Sequence, residues 1–158
     1  MIGAKEVMEI GAQLMWKHKG SQRKLERLCK VTREESSMEG KVHFRDILEK
    51  ELSGGVVKEV DSKETRHFNL SYMAPKKGGK WMKVLDSRKL NEEIVKTHFK
   101  MEEVRQVVKS MQKRDFATIL DLKSAYHHDK VEKSLSPYMG LSFDNRSFMY
   151  VGMSFGWT

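Results

Sequence analysis

Five residues that are apolar, small or β-branched, Phe116-Ala117-Thr118-Ile119-Leu120, run directly into an acid, Asp121. Such a run predicts a buried strand that delivers its last side chain to the edge of a sheet. The rest of the chain must then supply a platform around it. Lys123 to His128 contain neither Gly nor Pro, which predicts a short helical turn that brings Tyr126 back towards Asp121. A bare carboxylate beside an aromatic ring suits a divalent metal and a sugar, because hard cations such as Mg²⁺ take one or two carboxylates together with substrate phosphates. Asp121 is also well placed to N-cap the helix that follows, and these positions alone leave both readings open.

The 158 residues are enough for one domain, and the 39% hydrophobic share is enough for a core. Thirty Lys and Arg against 22 Asp and Glu give a formal charge of +8 and a pI near 9.5. That excess favours an anionic partner, nucleic acid or an acidic membrane surface, without choosing between them. One cysteine, Cys29, excludes an intrachain disulfide and a cysteine zinc site, and is expected as a partly buried thiol in a reducing compartment. No apolar run approaches the roughly 20 residues of a membrane span, and the N-terminus lacks the apolar core of a signal peptide. The expectation is an intracellular chain, cytoplasmic or nuclear, with no membrane segment.

Taken in order, Val7, Ile10, Leu14 and Met15 share one helical face and predict a helix over 4–17. Residues 18–41 are basic and polar with scattered Leu25, Leu28 and Val31, a weak helix or solvated segment. Phe44, Ile47, Leu48 and Leu52 predict a helix that Ser53-Gly54-Gly55 ends, with a strand at 56–60 after it. Alternation over 68–74 and a β-prone run over 80–86 predict a hairpin whose tip is Pro75-Lys76-Lys77-Gly78-Gly79. Glycines let a backbone approach a phosphate and lysines supply charge to it; a solvated turn is the other reading. Met101, Val104, Val107, Val108 and Met111 predict an amphipathic helix, and 136–143 with 147–151 a second hairpin around Asp144-Asn145-Arg146.

The order of these features resembles the reverse transcriptase domain of retroelements, in the branches of the LTR and tyrosine-recombinase retrotransposons. Three motifs carry the resemblance: Lys76-Lys77-Gly78-Gly79-Lys80-Trp81 with Val84-Leu85-Asp86-Ser87-Arg88-Lys89-Leu90-Asn91, then Leu120-Asp121-Leu122-Lys123-Ser124-Ala125-Tyr126-His127-His128, then Tyr150-Val151-Gly152-Met153-Ser154-Phe155-Gly156. It runs from about Phe44 to the end, which makes 1–43 a helical, basic extension and 44–158 a partial polymerase domain.

The resemblance implies an α+β chain, the fingers and the start of the palm of a right-hand polymerase, preceded by amphipathic helices. It implies an RNA-directed DNA polymerase that extends a DNA primer on an RNA or DNA template from deoxynucleoside triphosphates. Asp121 would be the catalytic carboxylate, ligating both Mg²⁺ ions, with the backbone carbonyl of Leu122 on the nucleotide-bound ion. Tyr126 would exclude a 2′-hydroxyl, Lys76 and Lys77 would reach the triphosphate, and Phe155 and Gly156 would line the nucleotide pocket. Arg88 would brace the fingers beside the template. Three positions depart from the family pattern: Met82 stands for an arginine on the triphosphate, Asp129 for an apolar residue, and Ser154 for a proline. The two-aspartate turn that supplies the remaining metal ligand is absent, so a fragment inactive by itself is expected. An unfinished palm sheet implies aggregation or dependence on the missing palm and thumb or an oligomeric partner. A non-catalytic basic nucleic-acid-binding module, or the remnant of a decayed transposable element, is the alternative.

Overall fold

The computed structural model describes residues 15–30, 37–96, 108–116, 118 and 125–154, with the side chains of Ala125 and Tyr126 excepted. The described chain is α+β. Helix α1 is Ser21–Arg27 and α2 is Met38–Ser53, followed by strand β1, Val57–Val60. Strands β2, Leu70–Lys76, and β3, Lys80–Asp86, precede helix α3, Arg88–Glu93, and strands β4, Gly140–Phe143, and β5, Arg146–Tyr150, come last. Three single turns of 3₁₀ helix, Ser62–Glu64, Ala125–His128 and Ser136–Tyr138, join these elements.

Helix α2 begins at Met38, six residues before Phe44, where the expected helix starts, because Ser37 Oγ accepts the amide of Gly40 and caps it there. Its end falls where expected: Gly54 is the cap and Gly55 takes φ +68, a conformation that glycine adopts without strain. The buried stripe of α2, Phe44, Leu48 and Glu51, faces an antiparallel sheet in the order β1-β5-β4. Val57 pairs with Tyr150 and Gly140 with Met149 across that sheet. Phe44 stacks on Phe143 with centroids 4.5 Å apart, and Leu25, Leu90, Leu135, Leu141 and Phe148 fill the same core.

The hairpin β2–β3 has its own ladder, from Leu70 opposite Asp86 to Lys76 opposite Lys80. It joins the three-stranded sheet through one seam at its root. There Asn69 N donates to Gly140 O at 2.8 Å, Gly140 N to His67 O at 3.2 Å, and Asn69 Nδ2 to Tyr138 O at 2.9 Å. A Cβ on Gly140 would stand 2.2 Å from Thr65 Cγ2 and 2.8 Å from His67 O, so only glycine permits the crossing.

Several expectations change. Met15 to Gly20 are not helical: Trp16 makes an antiparallel bridge with Ile94 and packs edge-on to Tyr138. Leu25, expected in a weak helix or solvated segment, is fully buried on a real helix. Ser136–Tyr138 is 3₁₀ rather than strand, because Pro137 opens a turn there instead of joining a ladder. Met111 lies outside the helical residues Val108–Ser110, and Phe116 and Thr118 are exposed and carry no strand. Residues 4–14, 101–107 and 119–124, including the strand end at Asp121, lie outside the described residues.

Candidate functional site

The second hairpin closes through Asp144 and Asn145, both at positive φ, 48° and 60°, as a two-residue turn requires. The first closes through Gly78 and Gly79 at +81° and +70°, so its tip carries almost no side chain beyond Lys77. Lys76 and Lys80 face each other directly across the ladder and both are exposed, as is Lys77. Like charges opposite one another repel. The tip is therefore relieved by any anion that comes to rest on it.

Behind the tip lies a cavity of about 420 Å³, walled by Lys76, Trp81, Met82 and Lys83 of the hairpin, Ile47 and Glu51 of α2, and Tyr150, Ser154 and His127. Trp81 is held by a stacked contact with His43, centroids 5.6 Å apart. The inner end of the cavity is a buried charge network. Lys83 forms an ion pair with Glu51, their side chains only 4% and 10% exposed, so neither charge is left to water. The Lys83 ammonium lies 5.3 Å from the Phe44 ring centre and 5.1 Å from that of Tyr150. Tyr150 Oη donates to Glu51 Oε2 at 3.5 Å. Burial pushes the Lys83 pKa down while Glu51 opposes it, and burial first, then Glu51, holds the Tyr150 phenol well above its usual range. Ser154 Oγ is buried on the wall of this cavity, with no hydrogen-bond partner among the described residues.

At the other end of the hairpin Arg88 opens α3. Its Nε donates to Asp86 Oδ1 at 2.8 Å and its Nη2 to Oδ2 at 2.5 Å, a fork on the carboxylate that holds Asp86 below the usual range. Arg88 is nonetheless 85% exposed, so its outer face stays open beside a second cavity of about 410 Å³.

Of the residues singled out from sequence, Lys76 and Lys77 come together at the tip, and Arg88 stands at the root, away from them. Tyr126 falls in the 3₁₀ turn Ala125–His128, one residue before a residue lining the cavity, His127. Phe155 and Gly156 follow directly on Ser154 but, like Asp121 and Leu122, lie outside the described residues. Met82 is 38% exposed on the cavity wall, an uncharged side chain between lysines. Asp129 is exposed, and its backbone carbonyl accepts the Met153 amide at 2.8 Å, so its charge is never buried. Sequence reasoning missed the Glu51–Lys83–Tyr150 network. The signal was available: Glu51 falls seven residues after Phe44, on the buried stripe of its helix.

No group of three His, Cys, Asp or Glu side chains among the described residues could hold a metal ion. Cys29 is a free, partly buried thiol whose pKa burial raises. No helix of the described residues is long and apolar enough to cross a membrane.

No protein-family model matches the chain, and no curated protein matches it in sequence. Its fold does match solved structures. The native protease-reverse transcriptase of prototype foamy virus aligns over 82% of this chain with a TM-score of 0.65 and 16% identity. A foamy viral protease-reverse transcriptase in complex with double-stranded DNA aligns over the same 82% with a TM-score of 0.67 and 15% identity. The chain spans 17% and 22% of those two chains. Identity at this level shows the fold, which is that of part of a reverse transcriptase.

Proposed function

We infer that the chain is the fingers and the first part of the palm of an RNA-directed DNA polymerase of the retroelement type, and that its fingertip hairpin handles the triphosphate of an incoming deoxynucleotide. One observation carries the reading: an exposed, like-charged lysine tip stands over a cavity between hairpin and sheet, in a fold shared with foamy-virus reverse transcriptase. Lys76 and Lys77 supply charge to the phosphates, Trp81 and Tyr150 bound the cavity, and Tyr126, Phe155 and Gly156 complete the nucleotide pocket. Arg88, fixed by Asp86, serves the template side. Met82 offers no charge to a phosphate, which weakens nucleotide binding by about one charge-assisted hydrogen bond, or ~1.5–3 kcal/mol.

Asp121 and the carbonyl of Leu122 are the metal donors in this reading. Together they are too few for two Mg²⁺ ions, each of which demands near-octahedral oxygen coordination. No catalytic step can be assigned to this donor set by itself. The formal charge of +8 supports a second reading, in which the chain acts as a basic nucleic-acid-binding module. The two are separated by a polypeptide extended with a two-aspartate turn and thumb, assayed for DNA primer extension on an RNA template with Mg²⁺. The polymerase reading expects extension that Asp121→Asn abolishes while nucleic-acid binding persists, and that Tyr126→Ala opens to ribonucleotides. Extension that survives Asp121→Asn refutes the metal assignment, and an inactive extended chain that still binds nucleic acid leaves the module.

A further inference from the structure

On the opposite face of the three-stranded sheet lies a cleft of about 680 Å³, larger than the 420 Å³ cavity under the hairpin. Its floor is apolar, made by Met149 of β5 with Val151, Val131 and Pro137. The segment that forms its far wall is pinned by backbone bonds: Val131 N donates to Val151 O at 2.8 Å, and Lys130 makes a bridge with Gly152. Ser136 Oγ adds a buried hydrogen bond to Tyr150 O at 2.6 Å. The cleft is therefore a built cavity rather than a gap between loose loops.

Three lysines reach its rim from separate stretches of chain. Lys58 lies on β1 directly across the ladder from Met149, and Lys130 and Lys133 come from the far wall. None of the three pairs with a carboxylate among the described residues, whereas Lys24, Arg45, Arg66, Lys83, Arg88 and Arg146 each do. The carboxylate on the rim, Glu64, already accepts the Asp61 amide at 3.2 Å in the capping of its own turn. Among the described residues, three lysines against one carboxylate leave an excess of two positive charges around an apolar floor.

That combination selects by chemistry. A bare inorganic anion would leave the apolar floor wet, and a purely apolar ligand would leave the lysines without a counter-charge. A phosphate joined to a flat or apolar body satisfies both, and the volume falls within the roughly 300–1,000 Å³ usual for small-ligand sites. We propose that this cleft, which lies across the sheet from the hairpin cavity and shares the His127 wall with it, is a second ligand site that takes a phosphate ester of nucleotide size, either free or as one unit of a strand. It stands on its own geometry and does not depend on the polymerase reading.

The test uses the 158-residue chain with ¹³C-labelled methionine methyl groups, the Met149 resonance being identified through Met149→Leu. Adenosine monophosphate, adenosine, inorganic phosphate and a short single-stranded oligonucleotide are titrated in turn. Saturable movement of Met149 by the monophosphate or by the oligonucleotide supports the site, the first marking a free nucleotide and the second a strand. Lys58→Glu with Lys130→Glu and Lys133→Glu should weaken it at least tenfold, and Lys76→Glu with Lys77→Glu should leave it unchanged. A response to adenosine as strong as to its monophosphate overturns the proposal, as does inorganic phosphate matching the nucleotide, or no response at all. The unsubstituted ligand series decides even if a variant misfolds. A response lost in the hairpin variant but kept in the rim variant also overturns it, whereas hairpin binding that fails while Met149 still responds counts against the polymerase reading alone.

Discussion

Replacing Lys83 by Met tests the buried network most directly. The substitution keeps an unbranched apolar stem out to Cε but removes the ammonium, leaving Glu51, 10% exposed, without its counter-charge. Breaking a buried pair by removing one partner costs about 3–5 kcal/mol, because the survivor remains desolvated and unpaired. The contacts of the ammonium with the Phe44 and Tyr150 rings are lost at the same time and fall inside that figure. Removing both charges, in Lys83→Met with Glu51→Leu, abolishes the unpaired group and should recover most of the loss, since apolar replacements of buried pairs are often neutral or better. Tyr150→Phe removes only a long hydrogen bond of 3.5 Å and should cost less than about 1 kcal/mol. Urea unfolding followed by tryptophan fluorescence and far-UV circular dichroism measures the cycle. The Lys83→Met midpoint should fall by more than about 1 M at an unchanged slope. A single variant within about 0.5 kcal/mol of the parent, or a double variant no better than the single, would refute the argument that the pair is desolvated.

Gly140→Ala should destabilise by about 1–3 kcal/mol in the same assay, since its Cβ meets the Thr65 side chain and the His67 carbonyl; an unchanged midpoint would mean the seam yields. Glu26, held down by the Tyr138 hydroxyl and then Arg66, and Glu59, Asp86 and Glu93, held down by Arg146, Arg88 and Lys24, all bind protons more weakly when folded. Their stabilisation is present above the ordinary carboxylate range and disappears as pH falls through the depressed values, so thermal stability should drop between about pH 5 and pH 2. Salt should blunt the drop because most of these pairs are exposed, and a flat profile at low salt would contradict it. Lys76→Ala with Lys77→Ala should weaken single-stranded nucleic-acid binding and lower the slope of log affinity against log salt by at most about two contacts; an unchanged slope would remove the tip from the interface.

The hairpin was the most legible element, because its pattern is local: alternation on both sides and two glycines between them fix strands and turn together. The 80–86 strand falls on the expected residues, and Asp144-Asn145 marks the second turn for the same reason. Helix α3 was not anticipated, since Arg88–Glu93 has only Leu90 as a large buried apolar residue and owes its place to packing against α1. Leu25 was underestimated because what meets it is distant in sequence: a His67 ring nitrogen lies 3.3 Å from its carbonyl, a contact that no local periodicity records. Of the candidate site, the cationic tip could be read and the buried charges could not. Lys83 looks like one more surface lysine until a helix more than thirty residues upstream supplies Glu51.

The hairpin is tied to the rest of the molecule at its root by the Gly140 seam, midway along by Lys83, and nearer the tip by the stack of Trp81 on His43. Ties spaced along one beam remove the freedom to swing at the root and move the fulcrum outward to Lys83 or beyond. The arm beyond it, Lys80 to Met82, is about 10 Å long at ~3.4 Å per residue. Tilting so short an arm by roughly 10° displaces the lysine tip by only about 2 Å, so large excursions of the tip need the Trp81–His43 stack and the buried pair to part. A beam held this way trades reach for aim, and its stiffness is set by two charges hidden beneath it and one stacked ring pair at its side.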